Sequence, residues 1–116
     1  MDIDFHGYHP SEIVGNGTLT KIVHQAWEMG ETQLKLIHGH GQMRGISSGF
    51  VNTNTGFFGL QIRHALRHDH KLRRWIKHTT LNCSDRGATS IGLKPNAAPN
   101  RTHFDEDLFP ERSYQR

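Results

Sequence analysis

The stretch "QLKLIHG", residues 33–39, decides the fold expected for this chain, because it joins an apolar strand pattern to a histidine followed by glycine. The same ending occurs near the start of the chain in "DIDFHG", residues 2–7. There Ile3 and Phe5 alternate with polar residues, which is the period of a half-buried strand. The sequence therefore predicts two strands that each end in a histidine–glycine pair.

A helix is predicted between these two strands. From Thr18 its apolar residues fall on one helical face, and Gly30 is a typical stop signal. These apolar residues are Leu19, Ile22, Val23 and Ala26. A strand–helix–strand unit crosses over right-handed and pairs its two strands in parallel. Because the carboxyl ends of parallel strands share one edge, the two histidine–glycine pairs are expected to face each other across one cleft.

The rest of the chain predicts one more helix and two more strands. A long loop without hydrophobic period, residues 42–59, comes first, and a helix is expected after it, ending near His68. "KLRRWIKHTTLNC", residues 71–83, contains the next strand, and "ATSIGLK", residues 88–94, forms the last. The order strand, helix, strand, helix, strand, strand predicts a two-layer α/β sandwich. The domain spans 1–94, and the proline-containing segment 95–116 is predicted to be a flexible polar tail.

Composition limits the class of protein. The chain has 116 residues, of which 34% are hydrophobic, and its mean hydropathy is −0.68. No stretch approaches the roughly 20 apolar residues of a membrane span, so no membrane partner is expected. The acidic start lacks the pattern of a signal peptide, and the single Cys83 excludes an internal disulfide, so a cytoplasmic location is predicted.

Positive charge is concentrated in one part of the chain. Residues 1–94 carry 11 Lys and Arg against 7 Asp and Glu, and residues 95–116 carry 3 against 4. Within residues 63–77 six cations accompany the lone Asp69. A basic cluster of this kind is the electrostatic footprint of a surface that binds a phosphate backbone. Nucleic acid is therefore the expected partner.

The paired histidines predict the chemistry of the cleft. Two imidazoles on either side of a phosphodiester can cleave RNA without a metal: one takes the proton of the ribose 2′-hydroxyl, and the other protonates the leaving oxygen. His6 and His38 are the candidates, with Asp4 placed to orient His6. Other residues are expected to contact the substrate through glycine backbone or basic side chains. They are Gly7, Gly39, His40, Gly41, Arg44, Arg63, Arg67 and Arg74.

These residues also resemble a known family. "IDFHGYHPSEI" followed by "LKLIHGHG" is similar to the Smr domain, the small MutS-related domain, with its D-x-H-G and H-G-x-G motifs. The resemblance covers about residues 2–94. It implies a fold like the C-terminal domain of bacterial translation initiation factor three, and an endonuclease, a hydrolase of RNA or a nicking enzyme for DNA. It also implies that Asp4 and His6 are needed for cleavage, and it implies no metal or cofactor.

Three other hypotheses stay open beside RNA cleavage. The first is that the chain is a DNA-nicking endonuclease of repair or recombination. The second is that it is a non-catalytic module that docks on RNA or the ribosome. The third is a zinc site built from His6, His9, His38 and His40, since imidazole is a common zinc ligand. Against zinc, histidines separated by one glycine at a strand end point to different sides.

Overall fold

Two α-helices cover one face of a four-stranded mixed sheet, which makes a two-layer α/β sandwich. The computed structural model describes residues 1–5, 7–39 and 57–109. The elements follow the predicted order: β1 Asp2–Asp4, α1 Thr18–Glu28, β2 Gln33–Ile37, α2 Phe57–His68, β3 Ile76–Asn82 and β4 Ala88–Leu93. The sequence predicts a loop over residues 42–59, but α2 already begins at Phe57, so the loop ends earlier than predicted. Its residues 42–56 lie outside the described part of the chain.

The sheet order is β1-β2-β4-β3. Strands β1 and β2 are parallel, with Asp4 opposite Ile37, which confirms the predicted pairing. Strand β4 runs antiparallel to both β2 and β3. Strands β1 and β2 therefore end at the same edge of the sheet, and each leads there into its glycine.

One face of the sheet forms the core. Ile3 and Phe5 point inward from β1 and its end, while Asp2 and Asp4 alternate with them and are exposed. The inward residues of β2 and β4 meet the apolar stripes of the helices. These residues are Leu34, Leu36, Ile91 and Leu93 on the strands, and Leu19, Ile22, Val23, Ala26, Ile62 and Leu66 on the helices. The alternation of the strands and the helical period of α1 thus give the two layers their common core.

The chain between β1 and β2 forms a short helical turn first and then the separate helix α1. A π-helical turn spans Ser11–Gly15, and α1 starts only at Thr18. Between them, the Asn16 side chain accepts a hydrogen bond from the Thr18 backbone N–H at 3.1 Å. Gly17 has φ 86°, a left-handed conformation that favours glycine. The "GNG" of the sequence therefore separates the π-helical turn from α1, and Asn16 satisfies one backbone donor at the start of that helix.

The segment after β4 contacts the rest of the domain as far as residue 109. Asn96 Nδ2 donates to the Trp27 carbonyl at 2.9 Å, and Asp105 N–H donates to Gln25 Oε1 at 2.9 Å. The Phe109 ring stacks on Tyr8 with centroids 5.5 Å apart and meets the edge of Phe5 at 6.2 Å. The aromatic residues of the segment pack beside the core at Phe5 and Tyr8, and α1 contacts the segment through Gln25 and Trp27.

We expect Phe109→Ala to destabilise the fold by about 2 kcal/mol, because it removes an aromatic ring that is partly buried against Phe5 and Tyr8. Urea denaturation measures this as a lower midpoint with an unchanged slope. The matched control is Lys21→Ala, an exposed position on α1, with an expected change below about 0.5 kcal/mol. Equal midpoints for both variants would mean that the segment does not stabilise the core.

Candidate functional site

Both predicted motifs end their strands with a glycine in a left-handed conformation. Gly7 has φ 92° and Gly39 has φ 84°. The first turn is held by the Tyr8 N–H, which donates to the Phe5 carbonyl at 3.0 Å. Side chains rarely adopt such φ values, so glycine allows each strand to turn sharply at the shared edge. His6, which lies between Phe5 and Gly7 in sequence, falls outside the described residues.

His38 lies on the core face of the sheet, in line with Leu34 and Leu36. Only 7% of the residue is exposed. Its Nδ1 lies 3.0 Å from the Gly39 carbonyl oxygen, and its Nε2 lies 2.9 Å from Thr89 Oγ1. A carbonyl oxygen can only accept, so the hydrogen of this first bond belongs to Nδ1. Both ring nitrogens of His38 are thus engaged inside the protein.

Arg63 reaches the same hydroxyl from the helix above. It is 7% exposed, and Thr89 is fully buried. The Arg63 Nε–H donates to Thr89 Oγ1 at 2.8 Å, and its terminal nitrogen donates to the carbonyls of Asp85 at 2.7 Å and Ala88 at 3.1 Å. The structure therefore places Arg63 in the interior. The sequence expects it instead on an exposed phosphate-binding face.

The backbone of the second motif is bound to the turn between β3 and β4. The N–H groups of His38 and Gly39 both donate to the Gly87 carbonyl, at 3.0 and 2.9 Å. The Gly87 N–H in turn donates to Asp85 Oδ1 at 2.8 Å. The Gly39 amide, expected to contact a substrate phosphate, thus holds the end of β2 against this turn.

Asp4 lies on the opposite face of the sheet from His38. It is exposed, and it shares its face with Asp2 because side chains alternate along β1. A groove of about 330 Å³ opens beside it, lined by β1 residues and by the rings of Tyr8, Phe104 and Phe109. Glu106 adds a further carboxylate to the groove. Of the remaining predicted site residues, His40, Gly41 and Arg44 lie outside the described part of the chain.

The other two basic residues singled out by the sequence are exposed but lie in different surroundings. Arg67, in the last turn of α2, donates to Cys83 Sγ at 3.6 Å. The Arg74 guanidinium lies 5.8 Å from the centre of the Trp75 ring, which itself stacks on His24 of α1. Arg67 therefore faces the end of β3, and Arg74 faces the α1 side of the sandwich.

Glu12 braces the loop that follows the first motif. Its Oε1 accepts a hydrogen bond from the His9 backbone N–H at 2.7 Å, and the Ser11 hydroxyl contacts His9 Nδ1 at 3.0 Å. The carboxylate thus satisfies a backbone donor at the entry to the helical turn, as in a capping box. Its contacts give it a structural role in this loop.

Two residues that sequence reasoning missed belong to the site. Thr89 shares its hydroxyl between Arg63 and His38, and Asp85 holds the turn that anchors β2. Thr89 carries a signal in the sequence: it alternates with Ile91 and Leu93, so it faces the core, where a polar group needs a partner. Asp85 sits in "SDRG", where aspartate typically bonds the backbone two residues on.

No protein-family model, curated protein or solved structure matches the chain. Within residues 1–5, 7–39 and 57–109, no group of three or more His, Cys, Asp or Glu side chains is arranged to hold a metal ion. The helices of this same part of the chain are too short or too polar to cross a membrane.

Proposed function

We propose that the protein is an Smr-like endonuclease of the cytoplasm that cleaves RNA without a metal ion, at the edge where β1 and β2 end. The observation that carries this proposal is the parallel register, with Asp4 opposite Ile37. It brings the ends of the D-x-H-G and H-G-x-G motifs to one edge, and each turns there on a glycine with positive φ. Edges of this kind are where open α/β sheets bind ligands.

The start of α2 supports phosphate binding beside this edge. The Phe58 ring stacks on Phe5, the last apolar residue before the first motif turns, with centroids 5.6 Å apart. Phe57 and Gln61 line a surface pocket together with His9 and Pro10 of the first-motif loop. The amino-terminal end of a helix carries partial positive charge, which favours a phosphate in its neighbourhood. Arg67 extends positive charge further along the same helix.

The proposed reaction is transesterification within RNA. A base takes the proton of a ribose 2′-hydroxyl, the 2′-oxygen attacks the adjacent phosphorus, and the 5′-oxygen leaves with a proton from an acid. The products are a 2′,3′-cyclic phosphate and a free 5′-hydroxyl. We assign proton transfer to His6, with Asp4 as the carboxylate that orients it. The second role, which the sequence gives to His38, requires His38 Nε2 to release the Thr89 hydroxyl.

The test uses end-labelled single-stranded RNA, incubated with the purified full-length protein in excess chelator. A matching strand carries one deoxyribose on the 5′ side of the preferred cut. We expect cleavage of the RNA to a 2′,3′-cyclic phosphate and no cleavage at the deoxyribose. Cleavage that persists at the deoxyribose would contradict attack by the 2′-hydroxyl, and nicking of supercoiled DNA in its place would favour the DNA-nicking alternative.

A non-catalytic docking module for RNA or the ribosome is the second candidate. The observation that favours it is the internal bonding of the second motif: His38 and Gly39 donate to groups of the protein itself. Tight, salt-sensitive binding of RNA with no cleavage of RNA or DNA would establish this candidate in place of the enzyme.

A further inference from the structure

Four groups from three distant parts of the chain form one line of hydrogen bonds on the core face of the sheet. Arg63 Nε–H donates to Thr89 Oγ1 at 2.8 Å. Thr89 Oγ1 lies 2.9 Å from His38 Nε2, and His38 Nδ1 donates to the Gly39 carbonyl at 3.0 Å. The line joins α2, β4 and the end of β2. It fixes His38 from both sides of its ring.

The donors and acceptors assign one tautomer to His38. Nδ1 carries a hydrogen because its partner is a carbonyl oxygen. The Thr89 oxygen already accepts from the guanidinium, so its own O–H is available to donate to Nε2. The arrangement therefore suits a neutral imidazole with its hydrogen on Nδ1.

We propose that Thr89 is a positioning residue, and that His38 serves to hold the Gly39 turn and does not itself exchange protons with the substrate. This inference rests on the proposed function for its effect on cleavage. Two observations carry it: His38 is 7% exposed, and Thr89, which contacts its Nε2, is fully buried. A substrate hydroxyl would have to displace a buried partner to reach that nitrogen. His6 then keeps its proton-transfer role, and the second role passes to a group other than His38.

The first experiment measures the tautomer directly. In ¹⁵N spectra of the His38 imidazole at neutral pH, we expect a protonated Nδ1 and an unprotonated Nε2. Thr89→Ser keeps the hydroxyl and is expected to keep this pattern. Thr89→Val removes the hydrogen bond to Nε2 and is expected to change the ¹⁵N shift of Nε2, while the hydrogen stays on Nδ1, which still contacts the Gly39 carbonyl. A wild-type His38 that carries its hydrogen on Nε2, or whose Nε2 shift is indifferent to Thr89→Val, would overturn the proposed line of bonds.

The second experiment separates positioning from proton transfer. The asparagine of His38→Asn can still donate from a side-chain nitrogen to the Gly39 carbonyl, but it cannot exchange protons near neutral pH. If His38 positions the turn, kcat for RNA cleavage stays within about 10-fold of wild type in His38→Asn and falls further in His38→Ala. A loss in His38→Asn on the order of 10²–10⁴-fold, equal to that of His38→Ala in a folded protein, would restore His38 as the second proton-transfer group.

The two readouts keep the two proposals apart. If the wild-type protein cleaves no RNA, the proposed function fails, yet the ¹⁵N spectra still decide the tautomer and the role of Thr89. If the wild-type protein cleaves RNA but the spectra show a hydrogen on Nε2, the enzyme stands and the positioning role is wrong.

Discussion

Cleavage of RNA is expected to fall on the order of 10²–10⁴-fold in His6→Ala, which is the usual contribution of a positioned acid or base. The reason is its place in the chain: His6 stands between the end of a strand that Phe5 anchors to Ile37 and a glycine with φ 92°. Asp4, two residues earlier on that strand, is the carboxylate that we propose to orient His6. Single-turnover cleavage of end-labelled RNA, with enzyme in excess, measures the loss in the chemical step.

The matched control is His78→Ala, an exposed histidine on β3 at the other edge of the sheet. Its rate is expected to equal that of wild type. Binding of RNA measured in parallel shows whether His6→Ala loses turnover or affinity. Cleavage that survives in His6→Ala would point to a contaminating nuclease or to another group, and would contradict the assignment of His6.

The largest loss of stability is expected for Arg63→Met, at about 3 kcal/mol. The substitution removes hydrogen bonds from a charged donor, and it also leaves buried acceptors unpaired. Methionine has a similar length and is apolar, but it leaves the carbonyls of Asp85 and Ala88 without the guanidinium that contacts them at 2.7 and 3.1 Å. Thr89 loses the same donor. Thermal or urea denaturation measures the change.

Arg67→Met, one turn further along α2, is the control for this substitution. Arg67 is exposed and donates to the sulfur of Cys83 at 3.6 Å, so we expect a change below about 0.5 kcal/mol. RNA binding, in contrast to stability, should change in Arg67→Met: we expect it to become weaker and less dependent on salt. Equal destabilisation by the two substitutions would mean that the buried bonds of Arg63 contribute little.

The elements and the parallel strand pair could be predicted from the sequence, because strong periodicity marks them. Ile3 and Phe5 alternate with polar residues, and the apolar stripe of α1 recurs at helical spacing. The right-handed crossover then leaves only one pairing for β1 and β2, and the structure has that pairing.

The buried position of Arg63 was not predicted, because its charge was interpreted as a sign of a phosphate-binding surface. The buried face of α2 consists of Gly59, Ile62, Arg63 and Leu66, and this spacing is that of a single helical stripe. An arginine on such a stripe needs buried acceptors, and here they come from a turn more than twenty residues away in sequence. The place of Arg63 on this stripe predicts that it faces inward, whereas its hydrogen-bond partners can be identified only from the tertiary structure.

The contacts of the terminal segment could not be predicted from the sequence for a different reason. Its prolines, carboxylates and scattered aromatic residues show no period, which is typical of a chain with no fixed partner. Phe104 and Phe109 are nevertheless packed beside the core by contacts with one another and with Tyr8 and Phe5. Isolated aromatic residues that fill the end of a sandwich leave no repeating pattern for sequence analysis to detect.

The strand order β1-β2-β4-β3 also has a consequence for the speed of folding. The hairpin of β3 and β4 joins neighbours in sequence and can form early. The central pair, β2 with β4, joins Ile37 to Ala88, so this seam closes only after a long stretch of chain has been brought together at an entropic cost. Contacts of such high sequence separation slow the search for the native state. We therefore expect folding in milliseconds to seconds, with the edge that carries both motifs assembled in its last steps.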